Sequence, residues 1–140
     1  AQKAATDGLK NIFNMLADEE LKHEQLIENM RSNDQHSVEE SPVLKEAKQI
    51  FAKMKSGAEK FAFDGSERGL YEKAREIEAN ARDFYKAKAE EVDIEWQKDV
   101  FQKLADEEQK HYKLMDNLCS FVAKPETWLE DAEFYHLEDY

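Results

Sequence analysis

The stretch FNMLADEELKHEQLIENM, residues 13–30, recurs without a gap as FQKLADEEQKHYKLMDNL, residues 101–118, at an offset of 88. Ten of the 18 aligned positions are identical, more than two amphipathic helices share by composition alone, so the chain reads as two related halves. In the later copy the 3,4 spacing of a helical core face runs through Phe101, Leu104, Glu108, His111, Met115, Leu118 and Val122. In the earlier copy it runs through Phe13, Leu16, Glu20, His23, Ile27 and Met30. Each stripe therefore carries Glu-x-x-His at its centre. A buried carboxylate without a compensating charge costs several kcal/mol, and a metal ion is the simplest compensation. Residues three apart on a helix share one face, so each Glu and His can reach one metal or flank a pair.

Working outward, a third long pattern places Tyr71, Ala74, Glu78, Ala81 and Tyr85 on one stripe, and Glu78 joins the candidate set. A shorter pattern with Leu44, Ala47, Phe51, Met54 and Ala58 on its face has no ionisable residue there and reads as packing or connection. Asp18, Glu19, Asp106 and Glu107 fall off the stripes and are expected in solvent. His36 and His136 lack patterned partners and read as surface residues. Trp96, Trp128, Phe134 and Tyr135 read as covers for helix ends or a subunit contact rather than cofactor binders.

Average usage would give about 7 Pro and about 10 Gly in this length. The 140 residues hold 2 and 4, so turns are few and the elements between them long. Val, Ile and Thr are scarce and no segment alternates with period two, so no sheet is expected. Charged residues make up 37% and the mean hydropathy is -0.88, yet 41% is hydrophobic and 11% aromatic, enough for a folded core. Thr6 or Asp7 can cap a first helix to about residue 31. Ser41-Pro42 opens a second to about 60, the Phe63-Asp64-Gly65-Ser66 break precedes a third over 67–92, and a restart at Asp93 gives a fourth to about 123. A single domain over 1–140, with 124–140 as a short C-terminal tail, is the expected organisation.

The formal net charge of -12 and a pI near 4.8 oppose binding to nucleic acid or an anionic membrane surface. No stretch approaches the roughly 18 apolar residues of a membrane span, and the N-terminus lacks the apolar core of a signal peptide, so a cytoplasmic protein is expected. The single Cys119 excludes an internal disulfide, a four-cysteine metal site and a C-x-x-C motif within these residues, and reads as a half-buried helix residue.

With Leu16-Ala-Asp-Glu-Glu-Leu-Lys-His23, Leu104-Ala-Asp-Glu-Glu-Gln-Lys-His111 and Glu78-Ala-Asn-Ala-Arg-Asp-Phe-Tyr85, the chain resembles the ferritin-like di-iron carboxylate proteins, and within them the rubrerythrin family. That resemblance implies an all-α ferritin-like four-helix bundle with a helical crossover connection. It also implies two iron ions, for which manganese or zinc are alternatives at a mixed carboxylate and imidazole site. By position, Glu20 and Glu108 would bridge the irons, His23 and His111 would each bind one, Glu78 would be a terminal ligand and Tyr85 a near-site aromatic. The implied activity is an oxidoreductase that reduces hydrogen peroxide or reacts with oxygen. The alternatives are a ferroxidase or iron-handling role, or a non-catalytic helical interaction module with a degenerate metal site.

Three features depart from the family pattern. The sole Cys119 leaves no Cys-rich rubredoxin domain within the chain, so the electron donor is unknown. Ala81 stands where some members carry a further carboxylate. The offset of 88 would put the counterpart of Glu78 before Ala1, so the family's first bundle helix is expected to be missing from this chain. The resulting apolar groove is expected to be covered in a homodimer, with 41–60 an alternative cover that offers no Glu.

Overall fold

The computed structural model describes residues 2–31, 42–56 and 65–124. Among them there are four helices and no strand: α1 (Gln2–Arg31), α2 (Val43–Ser56), α3 (Gly65–Glu91) and α4 (Glu95–Ala123). The architecture is the all-α, ferritin-like bundle that the sequence implies. His36, Trp128, Phe134, Tyr135 and His136 lie outside the described residues, as do the proposed linker before Pro42 and the tail after 124.

The expected helix limits shift at several ends. α1 begins at Gln2, with Thr6 and Asp7 inside it rather than capping it. α3 starts at Gly65, absorbing half of the anticipated break. Pro42 stands just outside α2, its carbonyl accepting from the Glu46 N–H at 3.2 Å, because proline brings the right φ but has no N–H of its own to place in the ladder. α4 opens at an Ile94 cap in extended conformation without a side-chain bond, and the Ile94 carbonyl accepts from Gln97 and Lys98. Asp93 lies one residue too early to cap it. The last turn closes with the Lys124 N–H on the Ser120 carbonyl, and Pro125 follows, which cannot continue the helix.

α3 and α4 form an antiparallel hairpin across the short Val92–Asp93–Ile94 connection, the most extensive contact among the described residues. Arg75 bonds Asp116 at 2.8 Å and Arg82 bonds Gln109 at 2.8 Å along its edge, with the Arg82 guanidinium 5.0 Å from the Tyr112 ring. α1 packs on α2 and approaches α4. A Cβ added at Gly8 would come within 2.9 Å of Ile50 Cγ2, so α2 lies directly against the α1 backbone there.

Among the described residues, two apolar clusters divide the core. One joins Leu9, Ile12 and Leu16 of α1, Val43 and Ala47 of α2, Tyr71 of α3 and the α4 run from Leu114 to Val122. The other joins Met30 of α1, Tyr85 and Ala89 of α3, and Val100, Phe101, Leu104 and Ala105 of α4, with Trp96 packed against it. Cys119 belongs to the first cluster and is buried rather than half-buried, and burial pushes its thiol up. The α2 face is set by Val43 and Ala47, with Leu44 and Ile50 partly buried.

All seven stripe positions of α4 are buried, and so are Val100, Glu107, Leu114 and Phe121, because this helix is covered on two sides. On α1 the inward face is Leu9, Ile12, Leu16, Glu19, His23 and Met30, displaced to one side of the expected stripe. Phe13, Glu20 and Ile27 are only partly covered. Glu19 and Glu107, expected in solvent, are therefore buried, while Asp18 and Asp106 are exposed. No described helix is long and apolar enough to cross a membrane.

Candidate metal centre

Between the two clusters lies a layer of ionisable side chains. Glu19, Glu20 and His23 come from α1, Glu78 from α3, and Glu107, Glu108 and His111 from α4. The heptad spacing that buries Leu16 and Met30 also turns Glu19 and His23 inward, and the stripe from Tyr71 to Tyr85 does the same for Glu78. Glu108 and His111 have no exposed surface at all.

Glu20, Glu78, Glu108 and His111 each present a ligand atom to a common point, all within 4.8 Å of one another. His111 Nδ1 stands 3.4 Å from Glu20 Oε1, 3.5 Å from Glu78 Oε2 and 3.6 Å from Glu108 Oε2. None of these approaches is a well-formed hydrogen bond, and all four atoms are buried without a hydrogen-bond partner. On the other side of the ring, His111 Nε2 lies 2.7 Å from Glu19 Oε2. His23 stands beside the group rather than in it: its Nδ1 is 2.9 Å from Glu108 Oε1, and its ring stacks on His111 at 6.1 Å with 7° between the planes. Tyr85 meets His23 edge-on at 6.4 Å. Glu107 reaches Lys110 at 3.3 Å.

Five carboxylates face two imidazoles in this layer, so the local charge is strongly negative. Burial pushes the Glu78 carboxyl up to about 7, with the neighbouring Glu108 raising it further and His111 opposing. Burial alone would lower the His111 imidazolium, but the surrounding carboxylates of Glu108, Glu19, Glu20 and Glu78 outweigh it and the group is raised. Burial also raises the Tyr85 hydroxyl, with the Glu108 and Glu20 carboxylates adding to it. Hard oxygen donors with imidazole nitrogen suit iron, manganese or zinc, and the buried atoms without hydrogen-bond partners are the ones a cation would satisfy. The residues present thus fit a metal.

The stripe pattern misses Glu19 and Glu107. The signal that finds Glu19 is the heptad run Leu9, Ile12, Leu16, Leu26 and Met30, whose spacing includes positions 19 and 23. Glu107 shares the seven-residue spacing of Val100, Leu114 and Phe121.

The Rubrerythrin family model matches residues 1–119. No match was found among curated proteins or among solved structures.

Proposed function

From the premise that the chain belongs to the rubrerythrin family, we propose that it is a di-iron oxidoreductase that reduces hydrogen peroxide or reacts with oxygen. The observation that carries this reading is the buried convergence of Glu20, Glu78, Glu108 and His111, whose facing atoms have no hydrogen-bond partner. Glu20, Glu78, Glu108 and His111 would hold the iron, with His23 beside them on Glu108 as a further candidate ligand. The chemistry that a ferrous pair would supply there is two-electron reduction of the oxidant.

The protein's own part is to hold, exclude and orient. Glu108 and His111, fully buried, fix one side of the site, and the apolar clusters above and below keep bulk water from the layer. Glu20 keeps 33% of its side chain exposed, which leaves a way in for a small oxidant at the α1 side. The Tyr85 hydroxyl, held high by burial, stays protonated beside His23.

Anaerobic loading with ferrous ion, followed by elemental analysis and stoichiometric addition of peroxide, tests the reading. About two irons per chain, oxidised by peroxide faster than free ferrous ion, is the expected result. Protein that binds no iron, or leaves its oxidation rate unchanged, overturns it. Iron uptake beyond two per chain would favour the ferroxidase alternative.

The same reading includes a homodimer. Leu70, Ile77 and Phe84, seven residues apart on α3, are more than half exposed and form an apolar line that a second copy would cover. Light scattering checks it, and a monomer at high concentration removes this part.

A further inference from the structure

The exposed line on α3 has an internal symmetry. Leu70, Ile77 and Phe84 are 62%, 57% and 53% exposed, and Leu70 and Phe84 stand seven residues to either side of Ile77. Arg75 and Arg82, which bond α4, lie on the far side of the helix. Residues seven apart drift by only about 20° around an α-helix, so such a line is a seam for a second helix crossing at a small angle. Laid antiparallel with Ile77 against Ile77, a second copy of α3 sets Leu70 against Phe84 at both ends. The flanks agree with that register. On one flank Glu67 falls beside Lys88 of the second copy and Ala74 beside Ala81; on the other, Lys73 falls beside Asp83 and Gly69 beside Ala87. A Cβ added at Gly69 would meet nothing within 4 Å, so that flank is open to a neighbour. The Lys88 ammonium stands 5.6 Å from the centre of the Phe84 ring, which puts its charge at the edge of the seam. Lys88 and Asp83 pair on their own helix with Glu91 at 2.9 Å and Arg82 at 3.0 Å, exposed contacts that exchange at little cost.

Resting on the homodimer reading above, we propose that two copies join α3 to α3, antiparallel about a two-fold axis at Ile77, with Glu67 to Lys88 and Lys73 to Asp83 pairs closing each flank. Charge decides against the other registers. A parallel pairing lays Glu67, Lys73 and Lys88 each against itself. An antiparallel pairing with Ile77 against Phe84 brings Lys73 onto Lys88 and Leu70 onto Glu91, and one with Ile77 against Leu70 leaves Phe84 without a partner on the line. Each copy carries a formal charge of -12, so bulk charge opposes association and a contact has to be balanced locally. The four charges flanking this seam are balanced. The 27 residues of α3 span about 40 Å, long enough for the whole seam to lie in one contact. Ile77 and Phe84 adjoin Glu78 and Tyr85 in the chain, so the two-fold axis passes at the level of the polar layer and the contact braces α3 there from outside.

Cysteine cross-linking of the whole chain tests the register, with diamide as oxidant and wild type, whose Cys119 is buried, as the control. Ile77→Cys is expected to form a disulfide-linked dimer with itself. Leu70→Cys and Phe84→Cys should each stay uncross-linked alone, because like positions then lie about 21 Å apart along the seam, and should cross-link when the two variants are mixed. Sedimentation equilibrium tests the flanks: Lys88→Glu should raise the dimer dissociation constant roughly tenfold, and adding Glu67→Lys to it should restore most of the loss. Lys86→Glu, an exposed change of the same kind on the other side of α3, should match wild type. Helical circular dichroism confirms that each variant folds, and the mixed cross-link decides if Ile77→Cys does not. A dimer in which Leu70→Cys links to itself, or in which neither Ile77→Cys nor the mixture links, overturns the antiparallel register and leaves the homodimer standing. A dimer whose dissociation constant ignores Lys88→Glu overturns the flanking pairs. Wild type that stays monomeric at high concentration overturns the homodimer reading together with this one, and gives the line to another occupant.

Discussion

In α4 the Glu-x-x-His pair is sealed, with no surface left on Glu108 or His111, whereas in α1 Glu20 keeps a third of its side chain in solvent and His23 a tenth. Both copies carry the same Leu-Ala-Asp-Glu-Glu sequence, so the motif does not set the burial. The non-identical positions do. Gln109 and Asp116 accept from Arg82 and Arg75, and Tyr112 lies under Arg82, which docks α4 along α3. Their counterparts by the offset are Leu21, Glu28 and Glu24 respectively, and all three are exposed. The repeated residues fix donor chemistry, and the edge residues decide which copy is enclosed.

The comparison breaks most directly at the carboxylates. Glu108→Ala should abolish cobalt or iron binding, because the side chain serves the common point with Oε2 and His23 with Oε1. Glu20→Ala should keep measurable binding, since water reaches that position. Equal losses by elemental analysis would show that the copies are equivalent after all. Below that in size, Leu104→Ala and Leu16→Ala should each cost about 3 kcal/mol in urea unfolding of the metal-free protein, both side chains being essentially buried. Matching values would confine the asymmetry to the polar layer, and a much smaller loss at Leu16 would extend it to the whole of α1.

Acidity sharpens the picture further. Glu78 releases its proton at about 7 in the fold and near 4.5 when unfolded, so between these values the native state holds more protons than the unfolded chain. Stability of the metal-free protein should therefore fall as pH rises from about 4.5 to about 7, by on the order of 3 kcal/mol. His111, raised by its carboxylates, acts in the same direction above its unfolded value of 6.5. Glu78→Gln should flatten the slope below pH 6.5, and thermal melts across the range would show it. The smallest effect is expected at the exposed edge: Arg75→Ala should cost under about 1 kcal/mol, because the Asp116 pair is solvent-screened.

Much of the bundle and its polar layer is legible in the amino-acid order alone. The α4 stripe from Phe101 to Val122 reads directly, because every position on it is core. The Glu78 stripe reads as well, with buried Tyr71 and Tyr85 at seven residues to either side. The α1 stripe does not. Two neighbouring stripes share Leu16, His23 and Met30, and apolar residues support both: Phe13 and Ile27 on one side, Leu9, Ile12 and Leu26 on the other. Which one turns inward depends on where α2 and α4 lie, and a local pattern holds no record of that. Glu19 is hidden by this ambiguity. Glu107 is hidden for a related reason, since α4 is covered on two sides and a single-stripe template assigns it only one.

The polar layer also divides the core into two apolar bodies, one at each end of the helices. Neither body is large, and helix backbone and the charged layer are what join them. Cooperativity of unfolding thus depends on the layer's own state. With its carboxylates mutually repelling, the ends can open separately, in units of different free energy. A cation held by α1, α3 and α4 at their midpoints would make opening either end undo the other as well. Loading the site would convert two small cores into one unfolding unit.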